Sequence, residues 1–265
     1  MTVASLSAAR APVRLRHRRS ARRLSKGQLA DLRRAVALAQ KIEDDRGYQY
    51  WAGIHGLPLP MYCKHRSPFF LPWHRAYLYF FEKALQDRVP GVTLPWWDWT
   101  QNHSEDLPPP YARARVGGAR NPLASSPIRK VGRRDPREKR TWRRFGPKSW
   151  LPEPGEVKAV LGNREFFTFQ NQLENIHNGI HGYVGGTMGD PNTSAYDPIF
   201  WAHHCMIDRL WYLWQLEHPG VQLPAPYLDA ALPPFPMTVR QTLDITALGY
   251  DYAAGTAAVP GTRRG

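Results

Sequence analysis

Six of the ten histidines in this 265-residue chain fall into two sets of three: His55, His65 and His74, then His177, His181 and His204, about a hundred residues apart. Imidazole is the ligand type that suits copper, zinc, iron and nickel. Neither set carries a partnering acid, which points away from the carboxylate-bearing non-haem iron sites and toward a pair of copper ions. Structural zinc usually recruits cysteine. The two cysteines here, Cys63 and Cys205, abut His65 and His204 and do not make a disulfide framework.

His177 and His181 are four residues apart, so on a helix they stack on one face. A lone pair at that spacing is usually a surface coincidence, but here the third histidine lies in the apolar run Phe200-Trp201-Ala202-His203-His204-Cys205-Met206-Ile207. Half-satisfied imidazoles are costly to bury, so the coincidence weakens. Asp197-Pro198 reads as the turn that starts this helix. In the first set, Pro68 and Pro72 bar a continuous helix. That places His65 on a loop and His74 at the start of a helix over 75–85, whose apolar face is Leu78, Phe81 and Leu85. Glu82 lies just over two turns beyond His74, either as a surface glutamate or as a buried acceptor that fixes the tautomer of a ligand imidazole.

At these residues the chain resembles the tyrosinase, catechol oxidase and haemocyanin group of coupled binuclear copper proteins. The matching stretches are His65 through His74 with its Phe-Leu-Pro-Trp-His-Arg ending, Leu94-Pro95-Trp96-Trp97-Asp98-Trp99-Thr100, His177-Asn178-x-x-His181, and Asp197-Pro198-Ile199-Phe200 through Asp208-Arg209-Leu210-Trp211. With the less specific approach Asp44 to Tyr48, the resemblance covers roughly residues 24 to 252. It implies one copper on each triad, with dioxygen or peroxide bridging the pair. It also makes His204 the ligand and His203 its non-ligating neighbour, with Asp208, like Glu82, standing behind the ligands.

The resemblance implies finer roles too. Cys63 occupies the place where some members carry a cysteine joined to a ligand histidine by a thioether, here His65; the alternative is an ordinary buried thiol. Asn178 matches an asparagine that, with a glutamate, holds a water that deprotonates monophenols. Glu174 is the nearest partner and Glu165 the fallback. The region 190–194 offers no large aromatic to cover the first copper, and Gly182 leaves space, so an open mouth is expected. The implied activity is ortho-hydroxylation of monophenols and oxidation of o-diphenols to o-quinones, with a small phenol and O₂ as partners. The alternatives are a catechol or o-aminophenol oxidase without monophenolase activity, and an oxygen carrier of haemocyanin type.

The elements that must position these residues read as helices. Residues 24–40 show helical periodicity through Leu29, Leu32, Val36 and Ala39, and further helices fall at 47–55, 163–181 and 202–215. Residues 92–100 suggest an extended, buried passage, and 101–162 look mostly irregular. The expected fold is mainly α: a four-helix bundle core holding a binuclear copper centre, with long irregular loops. Residues 1–23 form a basic extension, 24–252 the catalytic domain with a basic insertion at 113–148, and 253–265 a flexible tail.

The formal charge of +14 concentrates in Arg14, Arg16, Arg18, Arg19, Arg22 and Arg23 and in the insertion. The arm is expected to be solvated, with one arginine anchoring the core. Basic surface draws anions, including nucleic acid, at low salt; charge alone does not make that a dedicated function. No run of eighteen apolar residues exists, so no membrane span is expected. The arginine pairs near the amino terminus are not followed by an apolar segment, so no signal peptide is recognised. That makes a cytoplasmic protein, or one exported with a partner, the expectation. Family members often continue into a domain that plugs the site. Here about a dozen residues follow Tyr252, so the expectation is an enzyme made active, one protected and metallated by a copper-delivery or caddie protein, or one whose lid has been removed.

Overall fold

The computed structural model describes residues 15–100, 107–129, 131 and 140–252. The expected carboxy-terminal tail, the first fourteen residues and much of the basic insertion, including Arg133, Arg134, Arg137 and Lys139, lie outside them. Strand β1 (Arg16–Arg18) precedes helices α1 (Lys26–Ala39), α2 (Tyr48–His55) and α3 (Phe70–Gln86). A single turn, α4 (Pro109–Ala112), and a hairpin of β2 (Arg115–Val116) and β3 (Ala119–Arg120) follow. The helices α5 (Pro154–Leu161), α6 (Phe166–Val184) and α7 (Ile199–Glu217) complete the core. The chain then closes through the short turns α8 (Ala225–Leu228) and α9 (Val239–Thr242) and strand β4 (Tyr250–Tyr252). No helix among the described residues is long and apolar enough to cross a membrane.

The core is mainly α, as expected, and four of its helices carry histidines toward one another. α1 starts where its sequence signals placed it, because Ser25 and Gln28 form a reciprocal capping box. α3 starts earlier than expected, at Phe70, with His74 in its second turn. Pro72 is the third residue of that helix, where an N–H has no intrahelical partner, so the proline is tolerated there. The neighbouring free donor, the Leu71 N–H, is taken at 3.1 Å by Gln170 of α6, which ties the two helices at the level of the histidines. α7 begins at Ile199, directly after the Asp197-Pro198 turn that was expected to start it and three residues before the helical stretch read at 202–215. Asp197, one residue ahead of the N-cap Pro198, accepts the Ile199 N–H at 3.1 Å.

Two other segments depart from the sequence reading. α5 interrupts the stretch expected to be irregular; Pro154 opens it, and Val157, Val160 and Leu161 bury one face. The basic insertion is not all surface either. Arg143 reaches in to bind both oxygens of Asp197 at 2.8 and 2.6 Å, clamping the start of α7. In the hairpin, Gly117 and Gly118 both have positive φ (56° and 78°), as a tight two-residue turn requires.

At the amino terminus, β1 pairs in parallel with β4, placing Arg16 opposite Tyr250 and Arg18 opposite Tyr252. Arg18 is fully buried and is the anchoring arginine of the arm. The 92–100 passage runs buried beside it: Trp96, Trp97 and Trp99 are each 2% exposed, and Trp96 bridges to Ser20.

Candidate metal centre

α2 ends at His55, α3 carries His74, α6 carries His177 and His181, and α7 carries His204; His65 comes from the loop before α3. The structure brings all six together. Within the first set the ring centroids are 5.3 to 5.7 Å apart, and within the second 4.5 to 5.5 Å. The sets meet where His74 stacks on His204 at 4.5 Å and His65 lies 5.5 Å from His177.

The hydrogen bonds of these rings set their tautomers. A backbone carbonyl can only accept, so a ring nitrogen bonded to one must carry the proton. His55 Nδ1 donates to Pro191 O at 3.2 Å, His74 Nδ1 to Phe70 O at 2.8 Å, and His181 Nδ1 to Met188 O at 2.8 Å. His177 Nδ1 donates to Asn178 Oδ1 at 3.1 Å. Each bond leaves Nε2 with its lone pair free. Met188 and Pro191 belong to one loop, so a single segment orients a ring from each set. Its approach is close: Leu57 N–H bonds Asn192 O at 3.0 Å, and a Cβ on Gly56 would lie 2.3 Å from that oxygen.

The freed nitrogens converge. His177 Nε2 and His181 Nε2 lie 3.2 and 3.4 Å from His204 Nε2. Two nitrogens at about 2.0–2.1 Å from one ion would be roughly 3.3–3.6 Å apart, so the second set already has ligand spacing. His55, His65 and His74 each bury an Nε2 with no hydrogen-bond partner, an arrangement costly for protein alone. Potential ligand atoms of His55, His74 and His204 all lie within 4.8 Å of one another. Burial, reinforced by the neighbouring rings, holds His55, His74, His177 and His204 well below the usual histidine pKa. Burial brings His65 and His181 down to about 4. Six neutral imidazoles, four of them held with inward lone pairs by their Nδ1 bonds, fit a pair of copper ions.

His203 also sits among the second set, but with the opposite tautomer. Trp99 Nε1–H donates to its Nδ1 at 3.1 Å, and an indole can only donate, so the proton is on Nε2. Neither nitrogen of His203 then offers a lone pair to the centre.

The acids behind the histidines do a different job from the one expected of Glu82. Glu82 is buried, but it accepts from Arg18 Nε at 3.0 Å and Leu94 N–H at 2.7 Å, not from an imidazole. Asp208, one turn beyond His204, accepts from Arg75 Nε (2.5 Å), Arg18 Nη1 (3.2 Å) and the hydroxyls of Tyr250 and Tyr252 (2.8 and 2.5 Å). Desolvation pushes Asp208 up, but Arg75 and Arg18 outweigh it and hold the carboxyl below its ordinary value.

Above the rings a cavity of about 400 Å³ opens to the surface, lined by His55, His65, His177 and His181 and by Arg66, Glu174, Asn178, Gly182, Met188, Gly189, Pro191 and Ser194. Among these described residues none is phenylalanine, tyrosine or tryptophan, in keeping with the expected open mouth. Glu174 and Asn178, one turn apart on α6, both border it. Glu174 is 4% exposed, and burial raises its pKa; its Oε1 accepts the Arg66 N–H at 2.7 Å. Glu165 is excluded as partner to Asn178, because it caps the far end of α6 through the Phe167 and Thr168 N–H groups. Cys63 Sγ lies 3.6 Å from His65 Nδ1, and burial pushes its thiol up to about 12. Arg66, which the sequence reading passed over, follows a candidate ligand directly and carries no other mark in the sequence.

The family model for the common central domain of tyrosinase matches residues 45–217. The chain belongs to the tyrosinase family. It is 38% identical over 196 residues to a tyrosinase of Streptomyces glaucescens, covering 63% of this chain and 68% of that protein. Among solved structures, a tyrosinase from Burkholderia thailandensis superimposes with a TM-score of 0.80 at 25% identity, covering 93% of this chain and 75% of the other. A functional unit of octopus haemocyanin gives 0.78 at 28% identity, covering 89% and 68%. The chain is accordingly a tyrosinase-like oxidoreductase, a copper-dependent phenol oxidase by family and fold.

Proposed function

We propose that His55, His65 and His74 hold one copper ion, that His177, His181 and His204 hold a second, and that the chain uses the pair to ortho-hydroxylate monophenols and oxidise o-diphenols to o-quinones. The observation that carries this reading is the convergence of buried, unpartnered imidazole nitrogens at the floor of a cavity large enough for a phenol. The copper pair, when bound, supplies the dioxygen binding and the redox chemistry. Everything else falls to the chain. Its carbonyls fix the rings, and the aromatic core excludes water from behind them.

A phenol enters with its hydroxyl toward the histidines. Glu174 Oε2, which has no hydrogen-bond partner among the described residues, and Asn178 border its path. A water between them takes the hydroxyl proton and passes it to Glu174 Oε2, whose burial makes it a stronger base than an ordinary carboxylate. With one phenol and one O₂, the products are one o-quinone and one water; two catechols and one O₂ give two quinones and two waters.

A second reading, oxidation of catechols or o-aminophenols without hydroxylation, is favoured by a specific observation. Asn178 Oδ1 is already engaged by His177 and Glu174 Oε1 by Arg66, and no bond joins the two. The open mouth argues for substrate turnover over an oxygen carrier. The deciding experiment loads the protein with copper and follows oxygen uptake with a monophenol, a catechol and an o-aminophenol in parallel. Uptake with all but the monophenol selects the second reading, and no uptake with any overturns both. Loading by copper salt alone to two ions per chain would remove the need for a copper-delivery partner.

The position of Cys63 supports a thioether to the ring carbon of His65, formed with loss of the S–H and ring C–H hydrogens as dioxygen is reduced. The expected mark is an intact mass lighter by two hydrogens after copper loading; an unchanged mass overturns it.

A further inference from the structure

Among the described residues, His203 is the one fully buried histidine that the proposed metal pair does not use. Its ring stacks on His177 at 5.1 Å with the planes 16° apart and meets His181 edge-on at 5.0 Å. It offers a nitrogen within 4.8 Å of the ligand nitrogens of His177, His181 and His204. Position alone would make it a fourth ligand. Four imidazoles would close that site, whereas a metal site that reacts keeps a coordination position open.

What withholds His203 is Trp99. The indole, 2% exposed near the end of the buried 92–100 passage, donates its Nε1–H to His203 Nδ1 at 3.1 Å. This one bond disables both nitrogens: it occupies the lone pair of Nδ1 and leaves the proton on Nε2. The passage is tied to the same helix, since Trp97 N–H bonds Ala202 O at 2.9 Å, one residue before His203. The ligand rings are wired in reverse, because His55, His74 and His181 meet a backbone carbonyl at Nδ1 and so free Nε2. A donor against Nδ1 in one ring and an acceptor in the others thus sort neighbouring imidazoles into non-ligand and ligands. Resting on the metal-pair reading, we infer that Trp99 is a positioning residue for the second metal site: its indole N–H keeps His203 from coordinating and so keeps one position of that metal open to an exogenous ligand. With a phenyl ring in its place either nitrogen becomes available, Nδ1 through its bared lone pair or Nε2 once the proton moves to Nδ1. The site would then fill its open position from within.

The test loads the full chain with cobalt(II), whose visible absorption reports coordination, and uses azide as the probe of an open position. Trp99→Phe should keep two cobalt ions per chain but weaken azide binding at one of them by about tenfold or more, the scale on which a buried group without its hydrogen-bond partner counts. Adding His203→Phe keeps a ring against His177 but offers no nitrogen, so the double variant should bind azide within about twofold of wild type. Undiminished azide binding in Trp99→Phe, or no recovery in the double variant, would overturn the inference. Loss of a metal ion from Trp99→Phe would do the same, since a fourth ligand holds metal more tightly. A second measurement needs no variant: the histidine nitrogen chemical shifts of the metal-free wild type should show His203 protonated on Nε2, and a proton on Nδ1 overturns the assignment. If the wild type binds fewer than two cobalt ions, the metal-pair reading fails, while the His203 tautomer still decides whether Trp99 sets it.

Discussion

Two buried polar clusters share α3 and α7, and they differ in whether charge is balanced within the cluster. His74 and Arg75 are adjacent in sequence, and His204 and Asp208 are one turn apart on one face of α7, so the clusters lie side by side along the two helices. In the ion cluster, Arg18 and Arg75 balance Glu82 and Asp208. Arg75 spends its nitrogens on Asp208, Gln215 and Thr242, and Arg18 lies 3.7 Å from the Tyr250 ring. In the histidine cluster every ring is neutral, and nitrogen after nitrogen stays without a partner. A charge-balanced cluster, in which Arg18 Nη2 alone lacks a partner, holds helices in register; a neutral one with its inward nitrogens unpartnered awaits something from outside the chain.

The comparison breaks most sharply by exchanging the effects of one substitution in each cluster. His204→Ala should drop phenol oxidation to background and leave fewer than two bound copper ions per chain, measured by oxygen uptake and metal analysis. Full activity in that variant would exclude His204 as a ligand. Asp208→Ala instead leaves two buried arginines short of a counter-charge, and breaking a buried pair in this way costs about 3–5 kcal/mol. Denaturant unfolding of the metal-free protein should show that loss for Asp208→Ala and a smaller one for His204→Ala. The reverse order would mean that the histidines, not the ions, hold the helices.

The two clusters were unequally legible in the sequence. His177 and His181 were readable because four residues is one helical turn, and their apolar surroundings excluded a surface face. The ion cluster was hidden because its contacts are long-range: Glu82 meets Arg18 across 64 positions, and Arg18 meets Tyr252 across 234. In composition Arg18 is one more charge in a basic arm; only its pairing beside β4 marks it as buried. Pro72 misled for a different reason, since a proline in a first turn and one in a helix interior read alike until the helix start is known. α5 was legible in principle, from Pro154 followed by apolar residues at helical spacing, but a run of glycine, proline and charge around it obscured the signal. The carbonyls of Met188 and Pro191 could not have been found at all, because a backbone acceptor leaves no trace in residue type.

The same contrast predicts opposite responses to acid. The histidine pKa values are depressed by burial, so the unfolded chain binds protons before the folded one does. Their contribution is intact above the unfolded value of about 6.5 and is lost as pH falls toward the folded values, about 4 for His65 and His181. Each pH unit through that window should remove up to about 1.4 kcal/mol per histidine from the metal-free protein. Asp208, held below its ordinary value, should keep the ion cluster intact through the same window and fail only under stronger acid. Thermal unfolding of the metal-free protein from pH 7 to pH 4 measures this. A flat profile would mean that the folded rings titrate as the unfolded ones do, so that burial does not hold them as neutral donors.

The smallest effect expected separates the two readings of the chemistry. Asn178 orients His177 through Nδ1 and also borders the cavity, so Asn178→Ala removes two things at once. Loss of ring orientation alone should slow monophenol and catechol oxidation together. Loss of a group that helps deprotonate the phenol should slow the monophenol more, by about tenfold for a group supporting a ligand, with catechol turnover reduced less than about twofold. Asn178→Asp keeps an acceptor for His177 Nδ1 while changing what faces the mouth, so it isolates the second role. Equal losses in Asn178→Ala that Asn178→Asp restores would assign Asn178 to positioning alone and leave Glu174 as the only carboxylate among the described residues bordering the substrate path.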